Sequence, residues 1–411
     1  MKFRFRRKKY KPIYLVVILL VFSLIVYIKS TNGNTRVKPL TMEQKLEDFE
    51  YLYDFISENY PFLKVNERVN GIDWLGEKEV FKNAIKNTNA DYEFEYEISN
   101  IIRQLNNDHT HILTKDMFGY FYTAYADLEY EDHYKPWADV LKDEDVLNRY
   151  AFDEKKLEEY EAKQTFYADL SYCKTDIIVP DEVAYLKISQ MNTESIENDG
   201  LIIREFFGEI KDYEKLIIDI RGNQGGNDLY WIKNVIEPLA NKELSVKNYL
   251  FLRYEYAKYF YEHRGIAFSP ITELDKNIFD SFPEEIKIDF NYYSLSPKTI
   301  KPVDPVGFSG KIYLLVDERV FSSAESFASF SKDSGFATLV GETTGGDGIG
   351  LDPILFSLPN SKMVIRYSGM LVLNNDGTIN EEVHTIPNVV IDATIGSMYE
   401  KDISIQYVIN D

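Results

Sequence analysis

From residue 179 onward, short apolar runs alternate with helix-length segments, and this alternation constrains the fold more than any other feature of the chain. Val183 to Ile188 reads as a strand, followed by a helix over roughly 194–211. Leu216-Ile217-Ile218-Asp219-Ile220 is an apolar run short enough for a buried strand. It leads into Arg221-Gly222-Asn223-Gln224-Gly225-Gly226-Asn227, with another helix starting near Asp228. The run 312–316 repeats the pattern, with a helix beginning at Ser322. A strand over 338–340 ends at Gly341-Glu342-Thr343-Thr344-Gly345-Gly346, and two more are expected through 353–358 and 362–373. Strands alternating with helices predict an α/β layered core over 179–411.

Upstream of that core the texture differs. Leu46, Phe49, Leu52, Phe55 and Ile56 recur at helical spacing, as do Phe94, Ile98, Ile101, Ile102 and Leu105. A helical subdomain is therefore expected over 41–114. Residues 115–178 are aromatic and acidic and read as an irregular or helical insert. Residues 29–40 form a polar linker. Residues 1–11 carry seven basic side chains and no acid, and run straight into the uncharged stretch Ile13 to Ile28. We expect 12–28 to be a transmembrane signal-anchor, with 1–11 a cytoplasmic basic tail. No small-x-small cleavage box and no lipid-accepting cysteine follow it, which disfavours a cleaved signal peptide. The chain is thus expected in the cell membrane as a single-pass protein, with an extracytoplasmic body.

Charge narrows the partners. The 411 residues hold 46 Lys+Arg against 67 Asp+Glu, a formal charge of -21, and the basic tail leaves the body still more acidic. Such a body repels phosphate backbones, so nucleic acid is not an expected partner. The single cysteine, Cys173, excludes an intrachain disulfide and a cysteine metal cluster. The sequence does not reveal an oligomeric state.

Four segments carry groups capable of chemistry. The Gly-rich turn 221–227 can aim backbone N–H groups at an anion, although a plain strand-to-helix turn would look the same. It lacks the Gly pattern and the Lys of a nucleotide loop. Ser322-Ser323-Ala324-Glu325 opens a helix, where a hydroxyl sits in a field that favours a developing anion. Ser322 and Glu325 could equally form a capping box. Asp108-His109-Thr110-His111 offers an imidazole base, a helix-end cap, or two ligands of a zinc site that needs more donors than the neighbourhood supplies. Residues 375–388 supply Glu381 and Glu382, either of which could orient a base or merely lie solvated beside a hairpin turn.

In order and spacing, these segments together resemble the C-terminal-processing (tail-specific) serine peptidase family, near its tricorn-core branch. The resemblance covers roughly 41–114 and 179–400. It implies a crotonase-like (ClpP/crotonase) core of β-β-α units and hydrolysis of peptide bonds without a cofactor. Carried over by position, it implies Ser322 as nucleophile, His109 as base and Glu381 as the acid that orients it. It further implies oxyanion donors from Ser323 and from Gly225 or Gly226, and no metal. Asn107 stands where the family often has Asp, and His384 stands where it usually has Gly. Many members use a Ser–Lys dyad, but the matching residue here is Asp347, which cannot serve as a neutral amine base. A PDZ-like domain is not evident. The expectation is a membrane-anchored serine endopeptidase acting on exported proteins or peptides. Its rivals are a catalytically inactive peptide- or cell-wall-binding protein on the same scaffold and a zinc hydrolase built on His109 and His111.

Overall fold

The apolar runs of the second half assemble into one sheet. In this computed structural model, which describes residues 39–126, 131–168 and 170–411, six strands lie side by side. They are β1 (Cys173–Val179), β2 (Val183–Ile188), β3 (Lys215–Asp219), β4 (Lys311–Val316), β5 (Thr338–Gly341) and β6 (Val389–Val390). Their spatial order is β6-β5-β4-β3-β2-β1. All neighbours are parallel except β1, which runs antiparallel to β2 on the edge. Each parallel step needs a crossover; helices Ile196–Glu209 and Ser323–Ser334 provide it from β2 to β3 and from β4 to β5, whereas β5 reaches β6 mainly through strands of the other sheets.

Side chains alternate across this sheet. Leu186, Ile218 and Leu314 face a core that includes Phe207, Trp231 and Phe327, while Ile217, Tyr313 and Leu315 face Ile405 and Val408 of the C-terminal helix. Burial on both faces explains why β3 and β4 read as continuous apolar runs rather than alternating ones. β1 carries no fully buried residue, so the sequence gives it no apolar signature. Where it is described, the insert expected over 115–178 is mostly helical as far as 168, with helices Lys115–Tyr125, Glu131–Leu141, Glu144–Tyr150 and Glu154–Ala168, but β1 already belongs to the core sheet.

A second sheet pairs Leu244–Leu252 with Tyr292–Ile300 along their whole length, a pairing the sequence reading does not anticipate. A third joins Ile354–Ser357, Val364–Tyr367 and the short strand His111–Ile112. The last pairing has functional weight, because it ties the N-terminal helices to the core in the register His111 opposite Arg366.

The N-terminal helices follow the expected spacing: Met42–Asn59, Leu63–Asn70, Lys78–Lys86 and Asp91–Arg103. Phe55 stacks on Phe356 with centroids 3.8 Å apart, and burying such a ring stabilises by roughly 1.5–3 kcal/mol. The buried Asp48 carboxylate accepts the Asn360 and Ser361 backbone N–H groups at 2.7 and 2.8 Å. Among the described residues no helix is long and apolar enough to cross a membrane. The anchor expected over 12–28 and the basic tail lie outside the described residues.

Candidate active site

β3 ends at Asp219, and the chain turns through Gly222, Gly225 and Gly226, all with positive φ. Arg221 is buried and locks the start of this turn. Its guanidinium bonds Asp219 at 2.7 Å and Asp402 at 2.9 Å, joining the turn to the C-terminal helix. Asn223 shapes the rest: its Nδ2 donates to Ile188 O, and its Oδ1 accepts the Gly225 N–H at 2.8 Å. Gly225 has no room for a side chain. A Cβ there would lie 2.7 Å from Ser323 N and 2.9 Å from Ser322 Cβ. The two turns implied by the sequence, one Gly-rich and one Ser-rich, therefore touch, and the Phe321 N–H donates to Asn223 O between them.

Ser322 precedes the helix Ser323–Ser334 and has φ 56° and ψ −126°, a conformation costly for a residue with a Cβ. The capping box expected as an alternative does not form, since Ser322 makes no side-chain cap bond. Glu325, wholly buried, instead accepts from Thr385 Oγ1 at 2.6 Å and Asn380 Nδ2 at 3.2 Å. Burial pushes its carboxyl above the usual range, against those hydrogen bonds.

The strand pairing at His111 carries His109 across to this helix start. His109 Nε2 lies 3.1 Å from Ser322 Oγ, and Nδ1 lies 2.7 Å from Asp347 Oδ2. A carboxylate at Nδ1 holds the ring proton there, leaving the Nε2 lone pair to accept the serine hydroxyl. Asp347 also accepts from Asn107 Nδ2 at 2.7 Å and Ser368 Oγ at 3.1 Å. Burial would raise its pKa, but His109, Asn107 and Ser368 outweigh burial and hold it below the usual carboxylate range.

The place expected for Glu381 is thus filled by Asp347. Glu381 lies one residue further out, where its Oε1 accepts the second hydrogen of Asn107 Nδ2 at 2.8 Å. Thr110 Oγ1 donates to Asn107 Oδ1 at 2.7 Å while accepting the Ser368 N–H, which fixes the orientation of the amide. Burial, and then the Asp347 charge, push the Glu381 carboxyl well above its ordinary range, with Asn107 opposing. Asn107 and Ser368 are site residues that sequence reasoning did not single out for a role. In the sequence Asp347 is the one charged residue in Gly345-Gly346-Asp347-Gly348, and there it reads only as a missing lysine.

Of the expected oxyanion donors, the Gly225 N–H is spent on Asn223. The N–H groups of Ser323 and Gly226 make no hydrogen bond among the described residues. Gly226 is held by Met191 on the β2 side, whose O would lie 2.0 Å from any Cβ on it. Both His109 ring nitrogens are engaged. His111 Nδ1 faces the Asp108 carbonyl at 3.1 Å, and burial with the nearby Arg366 charge pushes its pKa down to about 4. Among the described residues no group of three or more His, Cys, Asp or Glu could hold a metal ion. A serine hydroxyl, an imidazole and a carboxylate in series, beside free N–H groups, can activate an alcohol and receive the oxyanion it creates.

The model of Peptidase family S41 matches residues 182–391. Among solved structures, a peptidase candidate from Parabacteroides merdae superposes with a TM-score of 0.56 at 17% identity, over 89% of this chain and 96% of that one. Mature CPAF complexed with lactacystin gives a TM-score of 0.55 at 14% identity, over 90% and 97%. These structures share the fold. No curated protein sequence matches.

Proposed function

Since the chain belongs to peptidase family S41 and is a serine peptidase, we propose that it cleaves peptide bonds of exported proteins or peptides through Ser322, His109 and Asp347. One observation carries the reading: a single imidazole bonds the Ser322 hydroxyl on one nitrogen and a buried carboxylate on the other.

In the proposed reaction Ser322 Oγ attacks the scissile carbonyl as His109 Nε2 takes its proton. Asp347 holds the ring tautomer and stabilises the imidazolium that forms. The Ser323 and Gly226 N–H groups receive the oxyanion. His109 then protonates the leaving amine, and water, activated the same way, releases the acyl group. This assigns the third position to Asp347 in place of Glu381. The inactive-scaffold alternative drew on Asp347 as a missing base, and a carboxylate bound to His109 removes that support.

The fold reading is consistent with a crotonase-like core, given parallel strands with helical crossovers from β2 to β3 and from β4 to β5. The uncharged 12–28 segment after a basic tail supports a single-pass anchor with the body outside the cytoplasm. Protease shaving of intact cells would degrade the body under this reading and leave it untouched if the body faced inward.

The central test is purified Ser322→Ala. Cleavage of a denatured protein substrate and labelling by a fluorophosphonate should both vanish while the melting temperature stays near wild type. Retained cleavage in Ser322→Ala would refute the assignment.

A further inference from the structure

Resting on the peptidase reading above, we propose that Arg366 binds a carboxylate of the peptide substrate beside the catalytic centre, so that the enzyme selects peptides bearing a negative charge near the scissile bond. Arg366 lies on the strand Val364–Tyr367, directly opposite His111. Its Nη1 donates to the His109 carbonyl at 3.4 Å. The guanidinium is therefore attached to the backbone of the residue whose imidazole meets Ser322.

This cation is buried and has no counter-ion among the described residues. Arg366 is only 8% exposed, and it forms no ion pair among the described residues. Its Nε is buried without a hydrogen-bond partner. The nearby acid Asp352 is engaged by Arg264 and by the Tyr125 hydroxyl. Glu194 and Asp352 both bear on the neighbouring Tyr120, yet neither pairs with Arg366. Arg221, buried as deeply, is by contrast met by two carboxylates, Asp219 and Asp402. A buried charge without a partner is costly, and a chain this acidic had carboxylates to spare.

Aromatic and cross-strand neighbours hold the fork in place. The guanidinium carbon sits 4.9 Å from the centroid of Phe121, on the helix Lys115–Tyr125, which fixes the plane on one side. The opposite cross-strand residue, His111, also has a buried ring nitrogen, Nε2, with no partner. With its proton on Nδ1 facing Asp108, Nε2 is an acceptor. An unsatisfied donor and an unsatisfied acceptor on one strand pair suit a carboxylate accompanied by a peptide N–H or a hydroxyl. The planar fork matches a carboxylate in particular. On a peptide that group is an Asp or Glu side chain or the free C-terminus.

The test uses a defined mixture of acetylated dodecapeptides, half amidated and half with a free C-terminus, with cleavage products read by mass spectrometry. Wild type should cut peptides with Glu at one fixed subsite about ten-fold or more faster than their Gln isosteres, the scale of a lost charge-assisted hydrogen bond. Dependence on the free C-terminus instead would identify the terminal carboxylate as the source. In Arg366→Gln the ratio of acidic to isosteric cleavage should collapse toward one, and Arg366→Lys should restore part of it. Because Arg366 is buried, the Glu-against-Gln comparison in wild type serves as a readout that needs no variant. Binding of the same peptides to Ser322→Ala, by fluorescence anisotropy, keeps the question open to measurement even if cleavage fails. Equal handling of acidic, isosteric and amidated peptides by wild type, or an unchanged ratio in a folded Arg366→Gln, would overturn the proposal.

Discussion

His109 Nδ1 and Asp347 Oδ2 stand 2.7 Å apart although 238 positions separate them in sequence. Two carboxylates are candidates for the orienting role, and distance decides between them: Asp347 touches the ring, while Glu381 reaches it only through Asn107 and Asp347 in turn. Asp347→Asn should keep the hydrogen-bond geometry but admit the wrong tautomer, lowering kcat by about 10³–10⁴. Glu381→Gln should cost less than about ten-fold, since Asn107 keeps its second acceptor. Steady-state kinetics on both variants separates the roles, and a larger loss for Glu381→Gln would return Glu381 to the third position.

Glu381 also has a pH signature. Its carboxyl is held well above its ordinary value by burial and by Asp347. Above the unfolded value of about 4.5, the unfolded chain has released this proton while the folded chain retains it. Folding then binds a proton, and the contribution of this group to stability declines as pH rises toward the folded pKa. Asp347 has the opposite sign: held low by His109, Asn107 and Ser368 against burial, it stabilises above its unfolded value of 3.8 and loses that contribution as pH falls through the lower folded value. Glu381→Gln should therefore gain stability relative to wild type at pH 8 but not at pH 4, as read by thermal melts. An equal difference at both pH values would show that Glu381 is ionised in the fold.

Much of this architecture was legible in the sequence. Val183 to Ile188 reads as a strand and is one, because its run is apolar on both faces but for Lys187. The N-terminal helices follow their apolar spacing. β1 gives no such signal, since an edge strand whose residues are all partly buried or exposed has no alternation to read. The sheet pairing Leu244–Leu252 with Tyr292–Ile300 depends on contacts across a helical excursion, which local pattern does not encode. Ser322, Ser323, His109 and the Gly pair could be singled out because short motifs carry them. The partner of His109 could not, because it is set by where a Gly-rich turn ends after the sheets have packed. Even so, Glu381 lies in the same hydrogen-bond chain, one amide away from the place expected for it.

The backbone at Ser322 makes a further test. At φ 56° and ψ −126° it adopts a conformation natural to glycine. Ser322→Gly and Ser322→Ala both remove the nucleophile, so activity cannot distinguish them, but stability can. Ser322→Gly should be more stable than Ser322→Ala by about 1 kcal/mol, since only alanine retains the Cβ penalty. Denaturant unfolding of the two inactive variants measures this directly. Alanine equal to or above glycine would mean that the positive φ is not maintained in solution.

Arg221 and Asp402 give the last prediction, which concerns the scaffold beneath the nucleophile. Asp402 accepts Arg221 Nη1 at 3.1 Å and Nη2 at 2.9 Å, takes the Gly396 N–H at 3.0 Å, and caps the C-terminal helix through the Ile405 N–H at 3.1 Å. Both Arg221 and Asp402 are buried. Asp402→Ala leaves a guanidinium half-compensated and a helix uncapped, which should cost about 3 kcal/mol. Lys187 binds the same Asp219 from a more exposed position, with its side chain 22% accessible, so Lys187→Ala should cost about 1 kcal/mol or less. Because Arg221 begins the Gly-rich turn that touches Ser322 and Ser323, Asp402→Ala should also lose fluorophosphonate labelling at temperatures where Lys187→Ala still labels. If Asp402→Ala labels at the wild-type rate up to its own melting point, the clamp stabilises the C-terminal helix without holding the oxyanion turn in place.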